Sequence, residues 1–303
     1  MSKFFEALER AEREHALPTR VASPRTTADG SPPPTAPSGE AEPAAPPLPV
    51  GPVAWAPATA VAGDRASRGQ ERLVSLFDST SFEAEQYRVL RQVVETLRKG
   101  ANLQVVAVTS PAVGEGKTTT AINLSGALAQ STDARVLVAD TDLRRPSLAR
   151  ELGLGGSRRG LVDALLEASL TLEDTVERLA HFNLSVLLAG RTAVAPYELL
   201  KSQRLEALLE EARRRYDFIV LDTPPFIPVP DCRLLAKCVD GFLIVVTAHR
   251  TPRGMLAEVL DLMDPAKVVG LVFNGDDARR PTYYDVYAGP SRGARLRRAW
   301  GTS

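Results

Sequence analysis

From Ser81 to about residue 275, short β-branched apolar runs alternate with amphipathic stretches of helical period, and few folds accept that order. Val105–Val108, Val136–Ala139, Leu184–Leu188, Phe218–Leu221, Phe242–Thr247 and Val268–Phe273 are the strand candidates. Residues 82–99, 118–130, 203–215 and 254–263 have the spacing of helices. Strands that are apolar at nearly every position are buried on both faces, so helices must cover both sides of the sheet. The expectation is an α/β fold with a mostly parallel sheet and helices on both faces. About 195 residues suffice for one such domain, and no internal repeat is found.

Proline shows where this fold stops. Twelve of the 23 prolines lie between Pro18 and Pro57, mixed with Ala, Ser, Thr and Gly. Such a stretch buries too little apolar surface to offset its ordering entropy. Four segments follow: a short amphipathic helix over 1–17, with Phe4, Leu8 and Ala11 on one side; a disordered Pro/Ala-rich linker over 18–74; a domain over 75–278; and a flexible tail over 279–303. A helix as short as the first is marginal alone, which suggests a docking partner. No run of about 18 apolar residues is present, and the charged N-terminus lacks the apolar core of a secretory signal. Cys232 and Cys238, the two cysteines, are expected to be buried or idle thiols in a reducing cytoplasm. Lys+Arg and Asp+Glu both number 37, and this zero balance argues against a nucleic-acid partner.

The loop after the first strand carries chemistry: Ser110-Pro111-Ala112-Val113-Gly114-Glu115-Gly116-Lys117-Thr118-Thr119. A phosphate chain needs a backbone that wraps closely, hence Gly114 and Gly116. It needs inward amide groups with a helix N-terminus behind them, here from Glu115 to Thr119. It also needs a lysine for the β- and γ-phosphates and a hydroxyl for Mg²⁺, here Lys117 and Thr118. The general pattern has glycine where this chain has Pro111, so only the core of the motif is intact. The fold expected is therefore of P-loop NTPase type, with ATP and Mg²⁺ as ligands. Two later strands end in carboxylates, Asp140 with Asp142, and Asp222. In an open parallel sheet ligands bind beyond the carboxyl ends of the strands, so these three should converge on the nucleotide, with a cation offsetting their repulsion.

These motifs together resemble the bacterial tyrosine kinases of capsule and exopolysaccharide synthesis, which belong to the deviant P-loop ATPases. The resemblance covers roughly residues 75–290, including Asp140-x-Asp142-x-Arg144, similar to an additional Walker motif, and Pro196-x-Glu198-Leu199-Leu200-x-Ser202. The related chromosome- and septum-positioning ATPases carry a signature lysine where this chain has Ala112. The resemblance implies an ATP-dependent protein-tyrosine autokinase that regulates polysaccharide polymerisation and export. It implies that Asn274 contacts adenine; the expected mechanism has Thr118 and Asp142 hold Mg²⁺ directly or through water, Asp222 hold it through water, and Asp140 orient or deprotonate the acceptor hydroxyl. The resemblance places acceptor tyrosines in a C-terminal cluster, here Tyr283, Tyr284 and Tyr287, which a neighbouring subunit phosphorylates.

The resemblance further implies a ring-forming motif, matched by Glu85, Arg88 and Arg91. Spaced i, i+3, i+6, these occupy one helix face, which is equally the pattern of a solvated face with an intrahelical pair. The partners implied are a membrane-anchored co-polymerase that activates the kinase, further copies of the chain, and a cognate tyrosine phosphatase. The chain would then be cytoplasmic and reach the membrane through its partner. Two other functions share the loop: a nucleotide-switch ATPase of the positioning class, and a non-catalytic ATP-binding regulator of export. The tail adds one expectation of its own. Residues 279–303 hold six arginines against Asp285, a charge of +5 that the rest of the chain balances. Three phosphotyrosines at about −1.5 to −2 each cancel it, so phosphorylation should switch off the tail's attraction to acidic surfaces.

Overall fold

The computed structural model describes residues 71–155 and 158–275. The helix expected over 1–17, residues 18–70 of the expected linker, and the tail with Tyr283, Tyr284 and Tyr287 lie outside the described residues, whereas residues 71–74, also expected in the linker, belong to the folded domain because Leu73 is buried in its core.

The chain enters through helix α1, Val74–Phe77, and helix α2, Phe82–Ala101. Ser81 starts α2 by accepting a hydrogen bond from Ala84 N–H at 3.2 Å, which satisfies one of the helix's free donors. Glu83 and Glu85 in the first turn and Arg98 and Lys99 in the last match the helix dipole. Asn102, at φ 53°, ends the helix in the left-handed region. Then follow β1, Val105–Thr109; α3, Lys117–Ala129; β2, Val136–Asp140; α4, Leu148–Glu151; and α5, Leu161–Leu166. Strands β3, Val176–Leu179, and β4, Leu184–Leu187, precede helices α6, Pro196–Leu200, and α7, Gln203–Arg215. The domain closes with β5, Phe218–Asp222; α8, Asp231–Leu235; β6, Gly241–Thr247; α9, Arg253–Leu262; and β7, Val268–Asn274.

The seven strands form one sheet in the order β3-β4-β2-β5-β1-β6-β7. All neighbours are parallel except β3, which runs antiparallel to β4 at the edge. Alternate residues of each central strand enter opposite cores, as the period of two requires. Val105, Ala107, Leu137, Ala139, Ile219 and Leu221 pack with Leu205, Leu208 and Ala212 of α7. Val106, Val108, Val136, Val138 and Val220 pack with Val94 of α2 and Ile122, Leu124 and Leu128 of α3. The expected sheet with helices on both faces is what the chain adopts. Leu73 is fully buried in the second core. Asn123 of α3 holds this entry in place, accepting from Ser75 N–H at 2.9 Å and donating to Arg72 O at 2.8 Å.

The sequence reading did not anticipate β3. Its Val-Glu-Arg-Leu run is short, amphipathic and half-buried, as suits an edge strand. The consequence for function lies in the order. β1 sits between β5 and β6, so the connections leaving it and β5 diverge, and a crevice opens beyond their carboxyl ends. The loop 110–116 occupies that crevice.

Candidate active site

Gly114 (φ 80°) and Gly116 (φ 92°) hold the left-handed conformations that curl the loop, a region side chains adopt only at a cost. Gly116 caps α3 without any side-chain acceptor, so the first N–H groups of the helix stay available to an anion. Lys117, the first residue of α3, is 8% exposed. The loop is braced from within and from outside. Glu115 is buried; its Oε2 accepts from Ala112 N–H at 3.0 Å, and its Oε1 accepts from the Thr251 hydroxyl. Asn274, the last residue of β7, donates from Nδ2 to Glu115 O at 3.1 Å and accepts at Oδ1 from Gly275 N–H at 2.9 Å. Asn274, expected to meet adenine, thus stands beside the loop, with its Nδ2 on the Glu115 carbonyl.

The carboxylates lie at the floor. Asp140 and Asp222 end β2 and β5 and face each other in register across the parallel pair. Both are 1% exposed. The Thr141 N–H and hydroxyl donate to Asp222 O at 2.8 and 2.7 Å, which locks the two strand ends together. Asp140 Oδ2 accepts from the N–H groups of Ser147 and Leu148, both at 3.0 Å, and so caps α4. Asp140 Oδ1 and both oxygens of Asp222 are buried without a hydrogen-bond donor. Burial pushes the Asp140 carboxyl up to about 6, with the charge of Asp142 adding to the rise against the Ser147 and Leu148 amides. Burial, and then the Asp140 charge, push Asp222 well above the ordinary carboxylate range, while Thr118 and Lys117 oppose the rise. The Thr118 hydroxyl is paired with Ser147 Oγ at 2.8 Å.

Buried polar oxygens without donors are rare and costly. Three of them on two facing carboxyls, beside Lys117 and a loop of free amides, fit a divalent cation with a polyphosphate. Among the described residues no three His, Cys, Asp or Glu side chains stand close enough together to cage a metal by themselves. The three carboxylates therefore do not converge as one cluster: Asp140 and Asp222 pair, and Asp142 stands half-exposed at the rim, its Oδ1 accepting from Arg145 N–H at 3.0 Å. That suits Mg²⁺, which takes one or two carboxylates and completes its shell with phosphates and water.

A family model described as an AAA domain matches residues 103–262. The tyrosine-protein kinase YwqD of Bacillus subtilis is 32% identical over 226 residues, which make up 74% of this chain and 94% of that protein. The chain belongs to the bacterial tyrosine kinase family. In agreement, the solved BceF tyrosine kinase domain superposes with a TM-score of 0.61 at 30% identity, covering 69% of this chain and 86% of that one. The succinoglycan biosynthesis transport protein ExoP of Rhizobium meliloti is 31% identical over 215 residues, but this chain spans only 27% of its length.

Around this bacterial tyrosine kinase site the structure adds partners that sequence reasoning missed. Arg144, grouped with the acidic motif, makes a bidentate pair with Asp231 of α8, at 2.7 and 2.9 Å. Asp231 is wholly buried. Cys232, next to it, is buried as expected, and burial pushes its thiol up to about 11; it donates to Pro224 O at 3.0 Å beneath the site. On α2, Arg88 pairs with Glu85 within the helix, and Arg91 donates to Glu95 Oε1 at 2.7 Å and to Ala127 O of α3 at 2.9 Å. Within one chain, then, all three residues of the ring-forming motif have partners. Tyr87, between them, is half-buried with its hydroxyl toward Thr120 and Asn123 of α3, and the burial it has raises its hydroxyl pKa.

Proposed function

We propose that this chain is an ATP- and Mg²⁺-dependent protein-tyrosine kinase of exopolysaccharide or capsule synthesis that phosphorylates other copies of itself. The observation that carries the phosphoryl-transfer reading is the Asp140–Asp222 pair, three of whose buried oxygens lack donors beside Lys117. Tyrosine as the acceptor is supported by the relatives, YwqD being named a tyrosine-protein kinase.

The residues divide the work as phosphoryl transfer requires, by positioning and by charge. Lys117 and the amides from Gly114 to Thr119 bind the β- and γ-phosphates. Thr118, Asp142 and Asp222 would hold Mg²⁺, which neutralises charge on the phosphate oxygens. Asp140 keeps one unpaired oxygen and orients or deprotonates the acceptor hydroxyl, a role suited to a carboxyl that titrates near 6. The acceptors are Tyr283, Tyr284 and Tyr287, presented by a neighbouring copy in a ring that Glu85, Arg88 and Arg91 help to close. Among the described residues no helix is long and apolar enough to cross a membrane. A membrane-anchored co-polymerase is the activating partner through which this cytoplasmic chain reaches the exporter, and a cognate phosphatase resets the tyrosines.

Phosphoamino-acid analysis after incubation with γ-labelled ATP tests the reading. Label on tyrosine is the expected result. Release of free phosphate with no labelled tyrosine identifies a switch ATPase instead, and ATP binding without turnover identifies a non-catalytic regulator.

A further inference from the structure

The turn after β6 brings a cation to the phosphate loop that none of the sequence motifs includes. Thr247–Thr251 is a tight, fully tied turn. Arg250 N–H and Thr251 N–H both donate to Thr247 O, at 3.2 and 3.0 Å, and Thr247 N–H donates to Thr251 Oγ1 at 2.8 Å. Ala248 N–H donates to Asn274 O at 2.8 Å, and the Thr251 hydroxyl donates to the buried carboxylate of Glu115 inside the loop. His249 at the apex sits at φ 59°, a conformation uncommon outside glycine that persists where surrounding contacts enforce it. The turn is thus fixed to the loop at Glu115 and to the end of β7 at Asn274, and Arg250 leaves it toward Gly114. A Cβ placed on Gly114 would lie 3.7 Å from Arg250 Nη2.

That position is unfavourable for an arginine unless an anion is there. The loop's amides and the start of α3 carry positive potential, and Lys117 adds a full charge. Arg250 is exposed, and among the described residues no carboxylate pairs with it. The nearest loop carboxylate, Glu115, is buried and already satisfied by Ala112 N–H and Thr251. We propose that Arg250 is a phosphate-binding residue of the nucleotide site, closing on the phosphate chain of ATP from the β6–α9 turn. Its planar guanidinium suits two phosphate oxygens at once, and Glu115–Thr251 is the brace that aims it. This rests on the reading of the loop as an ATP site.

The test is calorimetric titration of the full chain with MgATP and MgADP, comparing wild type, Arg250→Gln, Arg250→Lys and Lys117→Ala. Arg250→Gln is expected to weaken both nucleotides by about ten- to a hundredfold, the worth of one charge-assisted contact. Arg250→Lys is expected to recover part of that loss, and the melting temperature without nucleotide is expected to be unchanged in both. A purely structural role for the turn would lower that temperature and gain nothing from lysine. If Arg250→Gln binds MgATP within about twofold of wild type while Lys117→Ala does not bind, the proposal fails and the loop reading stands. If wild type itself does not bind, the loop reading fails and takes the proposal with it.

Discussion

At the residue scale, the energetics concentrate on Asp140 and Asp222. A carboxyl whose pKa rises on folding holds its proton more tightly in the folded chain. Its contribution to stability is complete below the unfolded value, near 3.8 for Asp140, and is lost as pH rises through about 6. Without nucleotide and Mg²⁺, the protein should therefore melt at a higher temperature near about pH 5 than near about pH 7.5. Asp140→Asn, which mimics the protonated form, should stabilise it at about pH 7.5 by about 1–3 kcal/mol, while transfer to tyrosine is lost. Scanning calorimetry across this range checks the sign, and stability that climbs with pH contradicts it. Arg144–Asp231 is a stabilising ion pair. Removing one partner of a fully buried pair costs about 3–5 kcal/mol; Arg144 keeps 38% of its side-chain exposure, so Asp231→Ala should cost about 2 kcal/mol in urea unfolding, and no change speaks against the pair.

Lys117, Asp140 and Asp222 were legible because each ends a strand or opens a helix inside a recognisable run. Their partners were not. Arg144 meets Asp231 across 87 positions, and Glu115 meets Thr251 across 136. No local spacing encodes such pairs; only the order of strands in the sheet brings them together.

At the scale of elements, buried strands were readable from unbroken apolar runs, and the helices from their period. β3 was not, because four residues with two central charges and no alternation are too few to separate from a loop. The end of β7 adds a contact that the resemblance did not include. The resemblance implies that Asn274 meets adenine; in the structure its Nδ2 also holds Glu115 O, and a Cβ on Gly116 would meet it at 2.0 Å. If the clasp is what matters, Asn274→Ala weakens ATP and GTP equally, by about tenfold for one lost hydrogen bond and a looser loop. A preference for ATP over GTP that collapses in the variant restores the adenine assignment. Competition binding with the two nucleotides separates these outcomes.

At the scale of the whole molecule, the ring is an inference from a helix face whose residues are all partnered within one chain. Glu85–Arg88 is a half-exposed intrahelical pair, worth only about 0.3–0.5 kcal/mol, so exchanging it for partners on a neighbour costs little. Light scattering should show that Glu85, Arg88 and Arg91 together replaced by alanine leave the chain monomeric and folded; assembly equal to wild type removes these residues from the interface. The proposed self-phosphorylation between copies would link the parts: the loop, the carboxylate pair, the helix face and the tyrosines. The most direct measurement is mass spectrometry of the full chain after incubation with ATP and Mg²⁺, for wild type and Lys117→Ala. Phosphate on Tyr283, Tyr284 or Tyr287 in wild type and none in the variant is the expected result. Phosphotyrosine that persists in Lys117→Ala at wild-type level, or none in wild type assembled with its activating partner, contradicts self-phosphorylation through this site.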